Sequence, residues 1–277
     1  MALRQSALTV ATAVVVLLLQ CHRPQSWSAL PGQYIKIGGE EIPLHSDPSD
    51  ANEQFARRDP LGFLKMCRVQ CRKRVHDYRC RFIKRERVEG TMSAKQEIDV
   101  SYRDHPFSVR MNWVKNPGRA EEVSYVENRW VKNGKQLALI KPSGFLGMLA
   151  PSGVKRDIRS DVVKAASRKT IDQFGFRNTL DMIIKYCEMA RGKPGYELNY
   201  LGITKFNGRD AYVLERRLPF TGEDAPYPDQ LLLTYIDREW LLPVGCFAYA
   251  DDAGTELLGL YVSTNVVINI GLSDADF

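Results

Sequence analysis

The chain has 277 residues, 44% of them hydrophobic and 26% charged, with 39 basic against 33 acidic side chains for a formal charge of +6. That composition excludes a disordered or fibrous chain and suffices for a real core in one large domain or two small ones. The charge is uneven: between Lys65 and Arg87, lysine and arginine far outnumber the acids Asp77 and Glu86, a local field that favours anionic partners.

Met1-Ala-Leu-Arg-Gln carries one positive charge, and Ala7–Leu19 is apolar apart from two threonines. With the small-residue site Ser26-Trp27-Ser28 ahead of Ala29, residues 1–28 read as a secretory signal peptide. Two alternatives are weaker. Cys21 sits where a lipidated cysteine would, but Gln20 before it is not small, and an uncleaved anchor needs a longer apolar core. Export makes disulfides chemically accessible. Loss of Cys21 leaves Cys67, Cys71, Cys80, Cys187 and Cys246, an odd set whose pairing is not legible in sequence. Cys67 or Cys71 with Cys80 is a bridge that one short loop would allow.

Residues 29–58 are polar, with Pro31, Pro43, Pro48 and Gly38-Gly39, and read as a linker with one short strand at Tyr34–Ile37. Asp59-Pro60 looks like an N-cap with proline in the first turn. Leu61, Leu64, Cys67, Cys71 and Val75 then recur at helical spacing, so Leu61–His76 is expected to be an amphipathic helix with a basic outer face. Tyr78–Val88 alternates as a strand: Tyr78, Cys80, Phe82, Lys84, Glu86 and Val88 on one face, Arg79, Arg81, Ile83, Arg85 and Arg87 on the other. Strands Glu97–Arg103 and Phe107–Val114 flank a turn at Asp104-His105-Pro106. Glu121–Glu127, Trp130–Val131 and Gln136–Lys141 follow, the last two joined at Asn133-Gly134.

The middle is less regular. Pro142–Pro151 is apolar yet bounded by Pro and Gly, and 152–175 is charged and ambiguous. Asn178 can cap a helix to about Arg191. Strands resume at Tyr196–Lys205, turn at Asn207-Gly208, and continue through Asp210–Leu218, Gln230–Asp237, Leu241–Ala250, Glu256–Thr264 and Val266–Ile270. The fold class expected is mainly β (α+β): an antiparallel sheet of about ten to eleven strands with two main helices, in one domain over 59–277.

Cys67-x3-Cys71-x4-His76-x3-Cys80 has the ligand types for zinc, but a helix running into a strand is not the compact loop of a zinc knuckle, so buried thiols or a disulfide are preferred and no metal is expected. The basic run, interleaved with Tyr78 and Phe82, could hold phosphates. Export argues against nucleic acid and leaves a solvated helix face with cross-strand pairs to Glu86, Glu97 and Asp99, or contact with anionic lipid. No Ser/His/Asp arrangement, HExxH pair or phosphate loop appears, so neither an enzyme nor a cofactor is expected. Phe145-Leu146-Gly147-Met148-Leu149 must cover something or be covered, since leaving such side chains wet forgoes roughly 1.5–3 kcal/mol each. They read either as a plug at one end of the sheet or as a lid over a hydrophobic cavity.

Several blocks resemble one family. Tyr78-x-Cys80-x-Phe82-x-Lys84-Arg85-Glu86-Arg87, His105-Pro106-Phe107-Ser108-Val109-x-Met111-x-Trp113, Tyr235-Ile-Asp-Arg…Leu242-Pro243-Val244 and Asn269-Ile-Gly-Leu-Ser-Asp-Ala-Asp-Phe277 are similar to domain-of-unknown-function family 1571, a family of exported bacterial proteins. Its strand pattern is similar to the lipoprotein-carrier (LolA/LolB-like) fold, which implies a curved sheet forming an incomplete barrel, helices on the concave side, and acyl chains bound between them. Family members often continue past the Asp-Phe pair, so a thinner outer cover on the last strand is expected. The resemblance implies a periplasmic or cell-envelope protein binding a lipid or lipoprotein acyl chain, with the membrane surface as a further partner. Phe107, Met111 and Trp113 are then expected to face the cavity, Phe145, Leu146, Met148 and Leu149 to form its lid, and Lys84, Arg85 and Arg87 to meet an anionic headgroup. A structural protein with a closed core is the alternative, and an envelope hydrolase comes third.

Overall fold

The computed structural model describes residues 33–222 and 226–277; the signal peptide expected over 1–28, with Cys21, lies outside them. Strands β1 (Gln33–Ile37) and β2 (Glu40–Leu44) form a hairpin, followed by helices α1 (Ala51–Arg58) and α2 (Pro60–Arg74). Then come β3 (Asp77–Val88), β4 (Thr91–Met92), β5 (Gln96–Arg103), β6 (Ser108–Lys115), β7 (Ala120–Val126), β8 (Val131–Lys132) and β9 (Lys135–Pro142). The middle holds α3 (Gly144–Leu149), β10 (Val154–Asp157), α4 (Asp161–Lys164) and α5 (Phe176–Ala190). Five strands complete the chain: β11 (Glu197–Phe206), β12 (Arg209–Arg217), β13 (Leu231–Asp237), β14 (Pro243–Tyr249) and β15 (Leu257–Ile268).

The main sheet is antiparallel, in the order β10-β9-β7-β6-β5-β3-β15-β14-β13-β12-β11, with β4 and β8 paired at its side. Its eleven-strand path is curved and does not close, because β10 and β11 do not meet. Strand β3 is the hinge of this order, joining the meander that follows it to the C-terminal meander through β15. Val266–Ile270, read as a separate strand, continues β15 past a register shift between Thr264 and Val267. The tight turns follow their residues: Asn133-Gly134 and Asn207-Gly208 all take positive φ, as two-residue hairpins require.

Residues 33–58 correct the linker reading. Polar composition conceals a built element: His45 exchanges backbone hydrogen bonds with Ile203 at 2.8 and 2.9 Å, covering the free edge of β11. Asp50 caps α1, accepts from the Tyr212 hydroxyl and pairs with Arg238 at 2.9 Å. Asp59 caps α2 through the Gly62 amide at 2.8 Å, with Pro60 in the first turn as expected.

Helices α2 and α5 pack on each other and cover one half of a sheet face. Phe63 meets Tyr212 edge-on at 5.3 Å, and Phe176 lies over Tyr78 at 4.6 Å. The basic surface of α2 is tied to α5 by Lys65–Glu188 at 2.7 Å and by Arg68 and Arg72 on Asp181 at 3.3 and 3.5 Å. Helix α5 begins earlier than the expected cap. Gly175 takes the N-cap position at φ 112°, where a Cβ would lie 2.5 Å from the Tyr102 ring, so only glycine fits. Asn178 instead donates back to the carbonyls of Asp172 and Phe174.

The two faces of β3 separate the roles that its alternation suggests. On the outer face Arg81 pairs with Asp99 at 2.7 Å and Glu97 at 3.5 Å, and Arg79 reaches Asp276 at 2.7 Å. The C-terminal residues thus lie against this face. Asp77 holds the Ile270 amide at 2.7 Å, and Asn269 bridges the His76 amide and the Arg74 carbonyl.

The Cys71–Cys80 bridge is corrected: all five described cysteines are free, buried thiols. Cys71 lies beside Tyr78, Tyr102 and Arg177, whereas Cys80 contacts the Ser263 hydroxyl on β15. Burial pushes both thiols up to about 12.

Candidate functional site

The other half of the same sheet face is not filled. There the chain between β10 and α5 arches over the sheet and leaves a cavity of about 960 Å³, at the upper end of the range for small-molecule sites. Strands β6, β7 and β9 supply Met111, Trp113, Val123, Ala138 and Ile140 to its wall. The arch supplies Ile158, Val163, Ile171 and Phe174. One end is closed by aromatic packing: Phe82 against Phe174 at 5.1 Å and Tyr78 against Phe176. Exposed Gly118, Arg119, Arg156 and Val162 also line the cavity and mark its mouth.

One side of the cavity is polar and built from the inward face of β3. Glu86 is buried, pairs with Lys84 at 3.0 Å, and accepts from the Tyr261 and Ser167 hydroxyls, each at 2.9 Å. Burial pushes the Glu86 carboxyl up, but the Lys84 ammonium and those hydroxyls outweigh it and hold it below its ordinary value of 4.5. A depressed folded pKa contributes stability that is complete above the unfolded value and lost as pH falls through the folded one. The Tm difference between wild type and Glu86→Gln is therefore expected to shrink as melts are taken stepwise below pH 4.5. A difference that stays constant would mean the carboxylate is not held this way.

Lys84 also donates to Ser167 Oγ at 3.1 Å, the contact of a serine–lysine pair. Nucleophilic chemistry would need that lysine as a base. Lys84 is instead ion-paired with Glu86 at 3.0 Å, and Ser167 donates to Glu86 and not to the lysine, so the contacts are those of a structural network. Among the described residues no group of three His, Cys, Asp or Glu side chains could hold a metal ion.

Met111 and Trp113 line the cavity, with Trp113 Nε1 buried and unpartnered. Phe107 shares their face but does not line the cavity; it is buried in an aromatic cluster, 5.6 Å from both Tyr102 and Tyr125. Lys84 faces the cavity, whereas Arg85 and Arg87 donate to the carbonyls of Ser93 and Leu257 at 3.1 and 3.2 Å and do not line it. Odd and even positions of a strand face opposite sides, so the three could not act together. Helix α3 starts immediately after Pro142 and Ser143, which line the cavity. Its Phe145, Met148 and Leu149 are 70%, 77% and 67% exposed, so they stand beside the mouth and do not close it. Lys169, Ser167, Ile171 and Phe174 were not legible, because the arch that carries them has neither period. The one available signal was the Ile171 and Phe174 pair, three apart after a charged run.

Comparison with known proteins places residues 75–277 within a family described as "Protein of unknown function (DUF1571)". No curated protein matches the sequence. Solved structures that resemble this chain do so at low identity. MucB is 15% identical with a TM-score of 0.43, over 76% of this chain and 60% of its own, so this chain spans less than two thirds of it. The Mycobacterium tuberculosis lipoprotein LppX is 13% identical with a TM-score of 0.37, over 77% and 100%. A LolA superfamily protein from Nitrosomonas europaea is 9% identical with a TM-score of 0.25, over 77% and 96%.

Proposed function

From this chain, which belongs to the DUF1571 family, we propose a non-catalytic binding protein of the bacterial cell envelope that holds the acyl chain of a lipid or lipid-modified protein in the cavity. The observation that carries the reading is the cavity of about 960 Å³ walled by Met111, Trp113, Val123, Ala138 and Ile140. Each methylene moved from water into such a site is worth about 0.8 kcal/mol, so a long chain offsets the cost of its own ordering. Met111 adapts to chains of different shape, as an unbranched thioether does. The exposed Phe145, Met148 and Leu149 form an apolar lip where a chain leaving a membrane would enter. Export rests on the signal-like residues 1–28.

A scaffold with a closed core has no use for this space, and the ion-paired Lys84 speaks against a serine hydrolase. Lipid extraction followed by mass spectrometry, on protein purified without detergent, tests the proposal, together with displacement of a fluorescent fatty-acid probe. Co-purified acyl lipid and saturable probe binding are expected. Empty protein that also fails to take up the probe would overturn it.

A further inference from the structure

Besides the exposed Arg119 and Arg156 at its mouth, the cavity lining holds a half-buried cation, Lys169, that has no carboxylate partner among the described residues. Lys169, on the arch, places its ammonium 4.4 Å from the centre of the Tyr261 ring, inside the cavity lining. The acids around it are already committed. Glu86 is matched by Lys84 at 3.0 Å, and buried Asp229 by Arg216 at 2.7 Å. Among the described residues no carboxylate lies within ion-pair distance of Lys169. Leaving aside Arg119 and Arg156, which water screens at the mouth, Lys84, Glu86 and Lys169 carry a net charge of one positive unit against an apolar wall. A half-buried cation without a counter-ion is costly, and one monoanion makes this trio neutral, whereas a dianion would leave an excess negative charge there.

Building on the acyl-chain reading, we propose that the ligand is a singly charged anionic amphiphile whose head is held inside the cavity by Lys169, not at the surface by the β3 arginines. A carboxylate or a phosphodiester meets this requirement, and the ammonium's three donors suit either. Burial holds the Lys169 ammonium below its ordinary range, partly countered by Cys246 and Glu86, the direction expected of a cation whose counter-ion is absent. The Ser167 and Thr170 side chains flank it in the lining, but their hydroxyls already donate to Glu86 and Asp172, which leaves the head to the ammonium.

The test compares chains that differ only at the head: palmitate, hexadecanol and hexadecyl phosphate, each displacing a neutral fluorescent acyl probe. Wild-type protein is expected to prefer palmitate over hexadecanol by about ten- to a hundredfold, the worth of a charge-assisted hydrogen bond converted to affinity. Hexadecyl phosphate at a pH where it is a dianion should bind more weakly than palmitate. Lys169→Met should abolish the preference for palmitate while retaining hexadecanol, and Lys169→Arg should restore part of it. Arg119→Gln with Arg156→Gln, which neutralises the mouth, should leave the preference intact. Equal binding of palmitate and hexadecanol to wild-type protein would overturn the proposal and leave acyl-chain binding standing. So would a preference that survives Lys169→Met or that is lost only in the mouth variant. Failure of every chain to bind would remove both.

Discussion

Asp229→Ala is expected to destabilise the protein by about 3–5 kcal/mol, the penalty for leaving one partner of a buried ion pair alone. Arg216 and Asp229 are 3% and 5% exposed at their side chains, and one guanidinium nitrogen meets both carboxylate oxygens at 2.7 and 2.9 Å. Arg216 Nε has no partner of its own, and the Cys187 thiol and the Tyr186 ring beside the guanidinium carry no compensating charge. For a domain of this size the loss corresponds to a fall in Tm on the order of 10 °C. Replacing both residues by apolar ones of similar volume should recover most of it, because desolvation of the pair nearly cancels its attraction. A Tm within a degree or two of wild type for Asp229→Ala would show that the pair is not buried as described. The pair sits beneath the arch: Arg168 donates to the Pro228 carbonyl at 2.8 Å, so the anchorage of Lys169 depends on this loop.

Ile140→Glu is expected to weaken acyl-chain binding at least a hundredfold while changing Tm little. Ile140 is only half-buried, because its side chain faces the cavity, and a glutamate there stays hydrated while the cavity is empty. An entering chain would strip that water from an ionised carboxylate with no partner, at a cost of about 3 kcal/mol or more. Ile140→Ala supplies the control and should lose only what a few methylenes are worth, about 0.8 kcal/mol each. Titration of the fluorescent fatty-acid probe separates the three proteins. Unchanged affinity in Ile140→Glu would mean that the chain does not run along β9.

The sheet was legible because its residues obey local rules. Tyr78–Phe82 alternates apolar and basic, Asn133-Gly134 and Asn207-Gly208 fix two hairpins, and Asp59-Pro60 fixes the start of α2. Where tertiary contacts decide, sequence was silent or misleading. Residues 33–58 look like a linker because their few apolar anchors, among them Ile37, Leu44, Phe55 and Ala56, are spread among polar ones such as Asp47, Asp50 and Glu53. Cys71 and Cys80 are near in sequence, but one lies on a helix beside Tyr78 and the other against Ser263. The cavity itself is a space between elements, and no periodicity in β6, β7 or β9 tells a filled concave face from an empty one. Met111 and Trp113 could be named because they share the apolar face of β6. Lys169 could not, since a lysine after Ser167-Arg168 reads as solvated until its neighbours are known.

The most direct test of the account is photocrosslinking with a palmitate that carries a diazirine along its chain, followed by peptide mapping. Adducts on the β6, β7 and β9 peptides that contain Met111, Trp113, Val123 and Ile140, competed away by unlabelled palmitate, are the predicted result. Adducts confined to the exposed Phe145, Met148 and Leu149, or labelling that palmitate does not compete, would contradict an acyl chain held in the cavity.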